Sequence, residues 1–257
     1  MPAVTVVATE PREDADVESS SERYARRFQG PVGRWFVDSQ THITLQSLAG
    51  LPPGSTILDV GGGHAQVAPP LAEAGYRVTV IGSDRSCGER LAALTSIGHC
   101  RFEVGNLQAL PYADEAFDAV VCYRLIAHSV DWRRLVGELC RVARHRVIVD
   151  YPARRSVNVA SNALFRIKHS IERGTTRPFA LFGRGEVASA FAAAGFAIAS
   201  VRPQFLLPMA LYRLAGSAAL ARGAEGLARS VGLTSLLGSP VIARADRRPT
   251  QGGPPRG

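Results

Sequence analysis

The segment Ile57-Leu58-Asp59-Val60-Gly61-Gly62-Gly63-His64 constrains the fold of this chain more than any other. A short β-type run carries an acidic side chain near its end, and three glycines follow without a spacer. Residues 66–74 then read as a helix that gives way at Gly75. Strand, glycine turn and helix in this order predict the first unit of a doubly wound sheet, with a nucleotide-like ligand at the carboxyl end of its first strand. Glycine is required where the backbone turns tightly, with positive φ, and where a ligand must approach closer than a Cβ allows. Many tight turns share this pattern, so its meaning depends on what lies downstream.

Residues 76–84 form a second β-rich run that closes on Ser83-Asp84. The acid stands about 20 residues beyond the glycines, the spacing at which a carboxylate reaches a ribose hydroxyl. A helix-compatible stretch spans 87–97, and a strand over 100–104 is closed by Gly105-Asn106-Leu107. A buried-type strand over 119–123, a helical stretch over 131–144 and a strand over 146–150 complete the series. This alternation predicts an α/β protein with a parallel sheet.

Taken together, Leu58-Asp59-Val60-Gly61-Gly62-Gly63, Ser83-Asp84, Gly105-Asn106-Leu107, Leu110-Pro111 and Phe117-Asp118 resemble the class I S-adenosylmethionine-dependent methyltransferases. Within that family the chain is most similar to the small-molecule enzymes related to the ubiquinone and menaquinone methylases. The likeness covers roughly residues 24–200, and its strength lies in the order of the whole set. It implies a Rossmann-like seven-stranded sheet with helical covers at both ends and S-adenosyl-L-methionine as cofactor. Asp59, with the backbone of Gly61 and Gly63, would face the methionine part, and Asp84 would take both ribose hydroxyls, with Ser83 or the Gly82 backbone sharing that contact. Asn106 stands where the family usually has an aspartate for the adenine amino group, and Leu107 would pack on the ring. Tyr123 would line the space between the cofactor's methyl group and the acceptor. The family's third turn glycine is Ala65 here, and His64 enters the turn, either crowding the methionine site or contacting it.

Transfer of an activated methyl group needs a general base only when the acceptor keeps its proton at neutral pH. His128 follows the fourth strand and is the best-placed base, against a reading in which it caps or packs the next helix. His64 is a second candidate, against that of a solvated turn residue. Asp150, at the end of the fifth strand, could hold a substrate amine or hydroxyl. Asp118 opens its strand away from that edge and reads as structural. The six histidines and four cysteines show no metal-ligand spacing, so no metal is expected. Cys87, Cys100, Cys122 and Cys140 read as buried thiols in a reducing compartment.

With 257 residues, 46% of them hydrophobic, the chain can bury one α/β core with additions. The net charge of +8 is almost all arginine, Lys168 being the only lysine, and it is spread along the chain rather than clustered. Nucleic acid is therefore a weak expectation as partner. The acidic, polar N-terminus shows no basic run leading into an apolar one, which predicts a cytoplasmic protein. Residues 1–22 read as a disordered tail, 23–245 as the methyltransferase domain and 246–257 as a mobile tail. A helical insertion over about 205–237 would roof the pocket or, for a lipid-like acceptor, touch a membrane; residues 156–182 would form a second cover. The sequence thus predicts methyl transfer to a quinone-like, polyketide or lipid-like small molecule. Two alternatives stay open: a non-catalytic scaffold that binds S-adenosylmethionine or S-adenosylhomocysteine, and an RNA methyltransferase. A nicotinamide oxidoreductase is disfavoured by the stretch before the fourth strand.

Overall fold

A computed structural model of the chain describes residues 14–98, 100–157 and 179–249. Seven strands form one sheet: β1 (Thr56–Val60), β2 (Arg77–Gly82), β3 (Cys100–Val104), β4 (Phe117–Cys122), β5 (Ala143–Tyr151), β6 (Phe196–Pro203) and β7 (Val241–Arg247). Their order is β3-β2-β1-β4-β5-β7-β6. The first five run parallel, whereas β7 is antiparallel to both β5 and β6. The Rossmann-like seven-stranded sheet expected from the sequence is therefore the one observed.

Parallel strands covered on both faces need apolar side chains on both, and β1, β4 and β5 supply them. Alternation divides the core in two. Leu58, Val120, Cys122 and Val149 face one helical layer, while Ile57, Ala119, Val121 and Ile148 face the other. The first layer contains α6 (Trp132–Val142) and α7 (Arg184–Ala193); the second contains α3 (Gly30–Leu48) and α4 (Ala68–Glu73). Asp131 starts α6 by accepting a 3.0 Å bond from the Arg134 N–H, as an N-cap carboxylate should.

Three expectations are corrected. Residues 14–22, read as part of a disordered tail, form α1 (Ala15–Ser19) and enter α2 (Glu22–Ala25). Their polar composition is offset because the buried Asp16 carboxylate finds three donors deep in the protein. The helix expected over 87–97 is instead a 3₁₀ segment, Arg85–Leu91, followed by α5 (Ala92–Ser96). The mobile tail expected from 246 does not start there: β7 runs to Arg247, and Asp246 pairs with Arg146 and Arg244. The proposed second cover over 156–182 lies mostly outside the described residues.

Between β6 and β7 stand α8 (Met209–Leu214), α9 (Ala218–Ser230) and α10 (Leu233–Leu237), at the position of the anticipated insertion. Glu225 is their hub. Its carboxylate accepts from Leu206 N–H at 3.0 Å, Thr234 Oγ1 at 2.8 Å and the Tyr212 hydroxyl, and it pairs with Arg229 at 3.0 Å. No helix among the described residues is long and apolar enough to cross a membrane.

Candidate cofactor and acceptor site

β1 ends in the glycine turn. Gly61 has φ +74°, and a 3₁₀ turn, Gly62–His64, follows. A Cβ on Gly62 would lie 2.0 Å from Asp59 Oδ2, and one on Gly63 would lie 2.2 Å from the Cys87 carbonyl oxygen. Only glycine fits at either place. Ala65 then adopts φ +54°, a left-handed conformation that costs an alanine on the order of 1 kcal/mol.

Asp59 is fully buried at the head of this turn, and neither carboxylate oxygen has a hydrogen-bond partner among the described residues. Burial pushes its pKa up to about 7, against the opposing pull of Arg124. An orphaned buried acceptor pair is costly, and it suits a ligand that brings an ammonium or N–H donor. By this test the residues of the turn fit the amino-acid end of S-adenosylmethionine. His64 is also fully buried, so the reading of a solvated turn residue is corrected. Its Nδ1 accepts from Gln66 N–H at 3.2 Å, while Nε2 has no hydrogen-bond partner among the described residues. Burial, followed by the charges of Arg124 and Arg90, lowers its pKa well below the ordinary value and keeps the ring neutral.

At the carboxyl end of β2 stand the two residues expected at the ribose. Asp84, expected on the ribose, is exposed and caps its own turn by accepting from Ser86 N–H at 2.9 Å. Ser83 is buried. Its N–H donates to Asp16 Oδ2 at 2.7 Å and its hydroxyl to Asp16 Oδ1 at 2.5 Å; Cys87 Sγ lies 3.3 Å from the same carboxylate. The α1 segment thus stands across the glycine turn, with Asp16 Cβ 3.4 Å from where a Gly61 Cβ would be. Ala15 shares the apolar cluster of Leu107, which is fully buried as an adenine-packing residue should be. Asn106 is half-buried, and its Oδ1 accepts from Gln108 N–H at 3.0 Å.

Beyond the turn a cavity of about 430 Å³ opens at the carboxyl ends of β4 and β5. Tyr24, Phe36, Phe205 and Met209 supply apolar walls, and Arg124, His128 and Asp150 the polar ones. Phe36 stacks on Phe205 at 3.6 Å between ring centroids. Arg124 has φ +61°, donates its N–H to Asp150 Oδ1 at 2.6 Å and its guanidinium to Gln40 Oε1 at 3.1 Å, and lies 4.2 Å above the Phe28 ring. Burial raises the Asp150 pKa to about 6, although the Arg124 N–H and charge oppose it. His128 is half-buried, with its ring 5.4 Å from that of Phe179.

The structure does not bring Tyr123 into this cavity. Tyr123 follows Ala119 and Val121 onto the α3 face, where its hydroxyl meets Thr44 Oγ1 at 2.7 Å and burial raises its pKa. Arg124, not singled out from the sequence, lines the cavity in its place. Asp16 was missed as well, because nothing in an acidic Ser-rich segment marks one carboxylate for burial. Asp118 ties β4 to β1 through Thr56 N–H and Oγ1 at 2.8 and 2.9 Å and pairs with Arg144, away from the site. Cys122 is fully buried in the core. A wider surface groove of about 760 Å³ lies between α6 and α7 at the opposite end of the sheet.

A sheet of this order with a glycine turn after β1 is the class I S-adenosylmethionine-dependent methyltransferase fold. In sequence, residues 58–149 match the family described as a methyltransferase domain. The chain is 30% identical over 95 residues to a demethylmenaquinone methyltransferase of Renibacterium salmoninarum, covering 37% of this chain and 39% of that one. It is 33% identical over 121 residues to a 2-methyl-6-phytyl-1,4-hydroquinone methyltransferase of Synechocystis, covering 44% of this chain and 38% of the relative. The chain therefore spans less than half the length of these curated relatives. Among solved structures, magnesium protoporphyrin IX methyltransferase of Synechocystis with bound S-adenosylhomocysteine superposes with a TM-score of 0.60 at 17% identity. That match covers 87% of this chain and 92% of the other. Over residues 58–149 the chain is thus similar to a methyltransferase domain, and over part of its length to two quinone methylases.

Proposed function

We propose that this chain moves the methyl group of S-adenosylmethionine to a small molecule with an apolar body. The observation that carries this reading is the pair of unpartnered Asp59 oxygens buried at the head of the glycine turn. They call for a cationic donor at the point where this fold presents its first strand end.

In this reading Asp59 holds the amino group, and the backbone of Gly61 and Gly63 lets the amino-acid end come close. Ser83 takes the ribose once its N–H and hydroxyl exchange Asp16 for the ligand's oxygens. Leu107 packs on the adenine ring, and Asn106 accepts from its amino group. His64 is neutral and adds a ring nitrogen beside the methionine part without a competing charge. The cofactor supplies an activated sulfonium methyl, so the protein's share of the rate comes from positioning and from exclusion of water. The cavity walls of Phe36, Phe205 and Met209 hold the acceptor's apolar body. His128 and Asp150 stand where a hydroxyl or amine of the acceptor would give up its proton. Support for a quinone-like or other prenylated acceptor comes from the two curated relatives, whose names specify a menaquinone precursor and a phytyl hydroquinone.

Calorimetric titration of S-adenosylhomocysteine into the protein tests the reading. Binding that weakens about tenfold or more in Asp59→Asn is expected, since a charged hydrogen bond is worth roughly 1.5–3 kcal/mol. If neither S-adenosylmethionine nor its demethylated product binds, the proposal fails. If both bind and no acceptor panel is methylated, the scaffold reading takes its place.

A further inference from the structure

The three helices between β6 and β7 are folded with their apolar sides outward. On α9 the buried positions are Ala221, Glu225 and Ala228, spaced as one helix face. The leucine stripe of the same helix, Leu220 and Leu227 with Val231 just beyond its end, is 65%, 68% and 62% exposed. The adjoining helices repeat the pattern. α8 turns Tyr212 inward to Glu225 and leaves Leu214 81% exposed; α10 turns Thr234 inward to the same carboxylate and leaves Leu236 70% exposed. A surface helix of a globular protein normally does the reverse. Glu225 explains how the reversal is held: one buried carboxylate anchors all three helices by hydrogen bonds, so their leucines are not needed inside.

The accessible charge within this segment is positive. Residues 205–237 contain Arg213, bonded to the Arg27 carbonyl, Arg222, and Arg229, paired with Glu225; all three are exposed, and the buried Glu225 is the only acid among them, which leaves a net positive charge. Exposed leucines beside arginines, with no accessible acid between them, complement a surface that is apolar below and anionic above. Residues leading into α8 and its first residue also line the acceptor cavity, through Phe205, Leu207, Pro208 and Met209. The chain therefore passes directly from the cavity wall into the three outward-turned helices.

We infer that the α8–α10 face docks on an anionic lipid bilayer, lying in its interface rather than crossing it. The occupant is the lipid surface, and the docked face adjoins in sequence the residues that wall the cavity. The inference stands apart from methyl transfer, because the exposed face and its charge do not depend on what the cleft binds.

Flotation with vesicles of phosphatidylcholine alone, or mixed with equal phosphatidylglycerol, tests it. The full chain is expected to float with the mixed vesicles and much less with the neutral ones, and to be released as salt rises from about 0.05 to 0.5 M. Leu220→Ser and Leu227→Ser should each lower the partition coefficient about tenfold. Arg222→Glu should shift binding toward the level on neutral vesicles. Melting temperature and S-adenosylhomocysteine affinity, measured on the same variants, should stay at the level of the parent, which separates loss of docking from loss of fold or of the cleft. No flotation with either vesicle overturns the inference, as does flotation that neither the leucine changes nor salt alters. A self-association that Leu227→Ser abolishes, in place of flotation, overturns it in favour of a second copy of the chain.

Discussion

At the residue scale, the cleft is governed by two carboxylates that burial treats differently. Asp59 has no donors, and its pKa rises to about 7 from the ordinary 3.8. A raised pKa means that the folded protein holds this proton more tightly than the unfolded chain. The stability it contributes is full below about pH 4 and is lost as pH climbs through 7. Asp59→Asn should therefore flatten the decline of melting temperature between pH 4 and 8 and stabilise the ligand-free protein at pH 8 by on the order of 3 kcal/mol. His64 works in the opposite sense: its lowered pKa removes stability as pH falls below about 6.5. The Asn variant isolates the first effect in pH-resolved thermal melts. An unchanged slope between pH 4 and 7 would show that Asp59 is ionised in the fold.

Asp16 is the converse case, a buried carboxylate with Ser83 N–H, Ser83 Oγ and Cys87 Sγ around it. Its bonds to Ser83 occupy the donors proposed for the ribose, so the two compete. Asp16→Ala should bind S-adenosylhomocysteine about fivefold to tenfold more tightly, the worth of roughly 1 kcal/mol of hydrogen bonding no longer broken on entry. Its ligand-free melting temperature should fall at the same time. Calorimetry and melting together decide the point: weaker binding in this variant would show that Asp16 is part of the ligand's own contacts.

At the scale of elements, strand runs and glycines carried most of the information. The β-branched cores of β1, β2, β4 and β5 are legible because parallel strands covered on both faces need apolar residues at every position. For Tyr123 the resemblance implies a place beside the cofactor's methyl group, and the period of two sets its face: Ala119, Val121 and Tyr123 share one side and Val120 and Cys122 the other. Arg124 reaches the cavity because its positive φ breaks that alternation, which a pattern of residue types does not reveal. The insertion was legible as helical, yet its inverted orientation was not, since that depends on Glu225 meeting Tyr212, Thr234 and the Leu206 N–H. Glu225→Ala leaves these donors unpaired and should destabilise the protein by about 3 kcal/mol. Limited proteolysis is expected to cut first within 205–237, with the sheet intact. Cleavage no faster than in the parent would show that the three helices are held by something other than this carboxylate.

At the scale of the whole molecule, segments distant in sequence close the same edge of the sheet. α1 lies over the glycine turn from the N-terminal side, and the β6–β7 insertion walls the cavity from the C-terminal side. A ligand that enters the cleft must then do two things at once. By mass action it stabilises the folded protein, by about 2.7 kcal/mol at a hundredfold excess over its Kd. Locally it must displace Asp16 from Ser83 and lift α1 from the turn, because both cannot use the same donors. Hydrogen exchange with S-adenosylhomocysteine should therefore show slower exchange in β1, β2 and the 3₁₀ turn Gly62–His64, with faster exchange over residues 15–20. A ligand that only tightens the structure would protect both regions. Faster exchange at α1 under a rising melting temperature is the combination that sets exchange of Asp16 for ligand apart from simple closure, and uniform protection would return α1 to the role of a fixed wall.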